Sequence, residues 1–226
     1  MEQHPSARLA LLAGPVYLVT TMSAIFISPL PDLGAGTGQM RTWLTNTSTS
    51  REAAAASVGV LSLLMLLIFA AALLQRVVTA DGLQWLRGVA ATAMGVAAAV
   101  HLTAFAVPSA LVLHTQSSLD ITTASTLNDL GMVLHWGAES AYAVFLGCVG
   151  ILGLTGRTLP RWLATSAAVI AVGALCSLPF ATHGWVHIPA TLGGVWALVA
   201  GIALVRRPQQ STPAQEGRPV ATHATG

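Results

Sequence analysis

The sequence predicts an all-α fold, a polytopic membrane helix bundle with about six transmembrane helices. Three observations predict it. Only 8% of the 226 residues are charged while 54% are hydrophobic, whereas soluble domains carry about 25% charged residues. Apolar runs of about 20 residues recur along the chain, each long enough at 1.5 Å per residue to cross a core of about 30 Å. All ten positive charges are arginine, and they cluster between alternate runs. The net charge of +2 is small, which argues against nucleic acid as a partner. The lipid bilayer is the expected partner.

The elements follow in order. Residues 1–8 form a polar head ending in Arg8, and residues 9–30 are the first span. That run exceeds the roughly 7–15 apolar residues of a secretory signal. Pro29 and Pro31 end it. Residues 32–52 read as a polar loop, with a short interfacial helix near Met40 to Leu44 and Trp43 at headgroup depth. The second span is 53–74, closed by Arg76. The third runs from Gly88 to Pro108 and holds His101. Residues 109–127 read as a Ser/Thr-rich loop with His114 and Asp120. The fourth span, 128–153, leads to Arg157, Pro160 and Arg161. The fifth runs from Trp162 to Thr182, and His183 to His187 form a short turn. The sixth, Ile188 to Val205, ends at Arg206 and Arg207. Residues 1–207 therefore read as one six-span domain. Residues 208–226 lack a periodic apolar face and read as a disordered cytoplasmic tail. The arginine asymmetry places both termini in the cytoplasm, with only Arg41 and Arg51 outside. Cys148 and Cys176 fall at different depths, too far apart for a disulfide, and read as two buried small hydrophobes.

The fourth span carries the chemistry. At about 100° per residue, Asn128, Gly131, His135, Glu139 and Tyr142 share one helix face, and His135 and Glu139, four apart, can touch. His101 on the third span lies at a similar depth, about 10 Å below the outer end. The candidate site is thus a pocket in the outer half. His135 and Glu139 form a candidate acid/base pair, His101, Tyr142 and Asn128 line it, and His183, Trp185 and His187 cap it. An ionised acid at mid-membrane costs about 2.5–3.5 kcal/mol on insertion scales. Glu139 is therefore protonated, paired or facing a wet cavity, which makes it a functional candidate.

Several readings stay open. The pair can hydrogen-bond purely to hold helices together. It can bind or sense a small molecule or lipid. It can serve acid/base chemistry on a lipid-soluble, for example isoprenoid, substrate, although 6% aromatic content is meagre for stabilising carbocations. It can relay protons. His183 and His187 have i,i+4 metal spacing, with Gly184 and Pro189 disrupting a regular helix. His101 and His135 meet the depth condition for bis-histidine haem. The cofactor is undetermined. Gly147, Gly150, Gly153 and Gly156 lie within a membrane helix end, where close packing explains them better than nucleotide binding. Trp136, Trp162, Trp185 and Trp196 read as interface anchors.

The C-terminal half also carries a recurrent pattern. It comprises Gly156-Arg-x-Leu-Pro-Arg-Trp-Leu163, then Leu192-Gly193-Gly194-Val195-Trp196 leading to Gly201 and terminal arginines. Ala7-Arg8-Leu9-Ala10 with Gly14 and Tyr17 precede it. Across most of residues 7–207 the chain resembles the six-span integral membrane proteins of domain of unknown function four-three-eight-six, common in actinobacteria. The resemblance implies a bacterial six-span protein. It implies no activity.

Overall fold

The computed structural model describes residues 9–77, 82–114, 120–183 and 187–206, with backbone alone at 181–183, 187 and 190. The described residues form seven α-helices: α1 (Ala13–Ile27, entered through a 3-10 turn, Ala10–Leu12), α2 (Thr37–Asn46), α3 (Thr49–Arg76), α4 (Gln84–His114), α5 (Ile121–Thr155), α6 (Arg161–Ser177, continued by a 3-10 stretch, Leu178–His183) and α7 (His187–Arg206). Five apolar stretches are long enough to cross a membrane: Ala10–Ile27, Thr49–Arg76, Gln84–His114, Ile121–Thr155 and Arg161–Phe180. Thr191–Arg206 is a sixth, shorter apolar helix. The chain is an all-α, multi-pass membrane bundle.

Six helices form a closed ring. α1 packs on α3, α3 on α4, α4 on α5, α5 on α6, α6 on α7, and α7 returns to α1. Closure depends on glycine. A Cβ on Gly14 would run into the Ala197 carbonyl, and one on Gly201 into the Leu11 carbonyl, so the backbones of α1 and α7 meet without intervening side chains. Gly150 does the same work between α5 and Ala164 of α6. The short α2 lies outside the ring, against α5. Its Met40 packs with Leu111 and Ala124.

The ring has two unlike ends. Arg76, Arg87, Arg157, Arg161 and Arg206 fall at the end opposite α2, where an Arg76 Nη1 donates to the Leu204 carbonyl at 2.7 Å. The main core lies in that half: Leu11, Leu66, Phe69, Leu73, Phe145, Leu146, Leu152 and Leu163 are all essentially solvent-free. Phe69 meets Trp196 edge-on at 6.3 Å. Of the buried polar residues, Ser28, Glu52 and Asn128 sit toward α2, and Ser62, His101 and Glu139 lie near the middle of their helices.

Four expectations need correction. Pro108 does not end the third span; α4 continues to His114, as membrane helices permit when nearby groups re-satisfy the backbone. α5 begins at Ile121 instead of 128, capped by Asp120, whose carboxylate accepts from the Thr123 N–H at 3.3 Å. At 31 and 35 residues, α4 and α5 reach about 46 and 52 Å, beyond the hydrocarbon, and their projecting ends support α2. Trp196 is 4% exposed and donates from Nε1 to the Leu163 carbonyl at 3.0 Å, so it is a core residue and no interface anchor; Trp162, at 54% exposure, faces out as expected. Both cysteines are free, but only Cys148 is buried; Cys176 is exposed on α6. The tail 208–226 lies outside the described residues.

Candidate functional site

The site is built on the facing surfaces of α4 and α5. Buried positions on α4 recur as Ala90, Met94, Ala97, His101, Ala104 and Pro108, a 3.6-residue stripe of mostly small side chains. These admit α5 closely. On α5 the matching stripe runs through Asn128, Gly131, Ala138, Glu139 and Tyr142. Gly131 sits where a Cβ would touch Val107 at 3.4 Å, which keeps the helices near one another just above the histidines.

That approach brings three titratable side chains together near the middle of α5. The His135 Nε2 lies 3.1 Å from the Glu139 Oε1. The His101 ring meets the His135 ring edge-on, centroids 4.6 Å apart, and its other face stacks on Phe105 at 6.1 Å. His101 and Glu139 are buried while His135 is one-third exposed. Hydrogen bonding is incomplete. The His101 Nδ1 and the Glu139 Oε2 are both enclosed without a partner; the Ala97 carbonyl one turn back lies near His101 but outside hydrogen-bond geometry. Each such unspent buried group costs about 1–3 kcal/mol.

Beside Glu139 is a cavity of about 10 Å³ between α5, α6 and α7, walled by Ser140, Tyr142, Ile170 and Pro189 among others. That is about one water. The Tyr142 hydroxyl donates to the Gly193 carbonyl at 3.1 Å and its ring stacks on Phe145. Gly193 is required there: a Cβ would fall 2.7 Å from the tyrosine ring. Tyr17 of α1 lies within electrostatic reach of Glu139 and Tyr142.

The structure therefore assembles His101, His135, Glu139 and Tyr142 around one point. Asn128 is elsewhere: its amide donates to the Pro31 carbonyl at 3.4 Å. With Asp129 accepting from the Gly34 N–H and Ser125 donating to the Ala35 carbonyl, it fastens the segment between α1 and α2 across the end of α5. Trp185 and the side chains of His183 and His187 lie outside the described residues. Among the described residues no group of three or more His, Cys, Asp and Glu is placed to hold a metal ion. A metal held between two opposed imidazoles at about 2.0–2.1 Å from each nitrogen needs ring centroids roughly 6 Å apart; the perpendicular contact of His101 and His135 leaves no such gap.

A second acid escaped the sequence reading. Glu52, placed there in a polar loop, is 4% exposed in the first turn of α3. It accepts from the Ser28 hydroxyl at 2.6 Å and from the Ser109 hydroxyl at 3.5 Å, joining α3 to the end of α1 and to α4. Its neighbour Arg51 donates from Nε to the Ile27 carbonyl. The available signal was the spacing of Glu52, Ala55, Gly59, Ser62 and Leu66, one helix face behind the N-cap Ser48.

No family model matches the chain, and no curated protein or solved structure matches it.

Proposed function

We propose that this multi-pass membrane protein binds a proton or a similarly small hydrogen-bonding ligand at the His101–His135–Glu139 cluster, as a sensing or binding module. The observation that carries the reading is the pair of unspent buried atoms, His101 Nδ1 and Glu139 Oε2, flanking the His135–Glu139 contact. Helix-holding polar groups spend their hydrogen bonds on one another. Here the His101 Nδ1 and the Glu139 Oε2 stay enclosed without a partner, which favours an occupant over glue.

The size of the site argues against the enzymatic alternative, acid/base chemistry on an isoprenoid-like lipid. Small-molecule sites run to about 300–1,000 Å³, and the cavity at Glu139 measures about 10 Å³. The arginine end is cytoplasmic in this reading, because five of the seven described arginines lie there and basic residues stay on the cytoplasmic side. On this reading the cluster lies toward the outer side of a bacterial plasma membrane.

Infrared difference spectroscopy across a pH titration in lipid nanodiscs tests the reading. One carboxyl band present in the wild-type spectra should be missing from those of Glu139→Gln, the bands of the other acids remaining. Spectra that coincide throughout the range where both chains stay folded would refute it.

A further inference from the structure

A groove of about 280 Å³ opens on the surface at the α2 end, away from the histidine cluster. Arg51 and Thr47 line one side, Gln39, Trp43 and Asn46 of α2 another, and Pro29, Leu30 and Pro31 a third. We propose that this groove holds the phosphodiester headgroup of a membrane phospholipid.

Three observations point there. Arg51 is held in place: its Nε donates to the Ile27 carbonyl at the end of α1, and Arg51 lines the groove. A planar guanidinium with a fixed fork suits phosphate oxygens. The amides of Gln39 and Asn46 add neutral donors, and the N-terminal end of α3 beside Thr47 adds a favourable dipole for an anion. Arg51 also marks the depth of the bilayer boundary, because the apolar run of α3 begins two residues later at Ala53. Below the groove, Phe26 at 79% and Ile25 at 52% exposure stand on the outside of α1, with Leu30 on its rim. Acyl chains of a lipid whose phosphate sits at Arg51 would lie along them. Trp43, half-buried in α2, is the aromatic residue expected at that level. A soluble phosphate compound would gain nothing from the apolar flank, so the geometry points to a lipid.

Native mass spectrometry of the detergent-purified full chain with dioleoylphosphatidylglycerol provides the test. The wild-type chain should retain one lipid, and Arg51→Gln should weaken retention about tenfold or more, the scale of a lost charged hydrogen bond. Arg41→Gln, an exposed arginine of α2 outside the groove, should leave it unchanged. Equal loss in both variants would mean general charge attraction and overturn the proposal. Equal retention of dioleoylglycerol, which lacks phosphate, would overturn it by showing that the apolar flank alone binds. Displacement by millimolar inorganic phosphate would overturn the lipid source in favour of a soluble anion. Should Arg51→Gln fail to fold, Asn46→Leu on the exposed side of α2 takes its place, with the same expected loss; unchanged retention would overturn the proposal.

Discussion

Two buried acids, Glu139 and Glu52, should respond oppositely to replacement by leucine. Glu139 sits mid-helix, spends one oxygen on His135 and leaves the other unpartnered. Glu139→Leu forfeits one intramembrane hydrogen bond, about 0.6 kcal/mol on average and about 1.7 at most. It also removes an acid whose mid-span insertion costs about 2.5–3.5 kcal/mol. His135, one-third exposed, can turn outward once its partner is gone. The balance is a gain of roughly 1–3 kcal/mol. Glu52 is in the first turn of its helix, close to water, so little insertion cost is recovered there. Glu52→Leu strands the buried Ser28 hydroxyl now held at 2.6 Å and should lose about 1.5–3 kcal/mol. Reversible unfolding in mixed detergent–lipid micelles, followed by circular dichroism, measures both. A loss above about 1 kcal/mol for Glu139→Leu, or equal losses for the two variants, would refute the argument that Glu139 is held for a purpose other than stability.

Further outcomes follow from the packing. Gly14→Ala should cost about 1–3 kcal/mol by overpacking α1 on α7, whereas Gly95→Ala, with nothing within 4 Å, should be neutral or stabilising in the same unfolding assay. Trp196→Phe should lose roughly 1–2 kcal/mol, through the bond to Leu163 and the contact with Phe69. Gly193→Ala should displace the Tyr142 ring and shift the Glu139 carboxyl band, while Tyr142→Phe, which removes only the bond to Gly193, should shift it less. A Thr45→Cys chain should label with an impermeant maleimide in intact cells if α2 faces outward, and protection would reverse the orientation.

The bundle was legible because lipid leaves hydropathy little choice: an uncharged run of 20 residues must pair its own backbone, and helix is the way a single segment does so. The facing of His135 and Glu139 was equally legible, since it needs only the 3.6-residue period. What failed was the treatment of polarity as a loop signal. Residues 121–127 are Ser/Thr-rich because they stand beyond the hydrocarbon, yet they remain helical, and the mostly apolar 109–114 continues α4 past Pro108; the Asp120 cap, with Thr123 three residues on, was the readable sign of the true start of α5. Glu52 was lost to the same habit. The contact between His101 and His135 could be placed in depth but not in distance, because that depends on small residues such as Gly131 and Ala104 letting two backbones approach. The 10 Å³ limit on the cavity arises from side-chain packing and leaves no trace in a one-dimensional pattern.

The unequal halves of the ring have a consequence for energetics across the membrane. Phe69, Phe145, Trp196 and the leucines around them plug the arginine half without a polar step. On the proposed reading, the cluster exchanges a proton or ligand with the compartment on the α2 side alone. It can register that compartment's chemistry without leaking ions, dissipating a gradient or doing work against one.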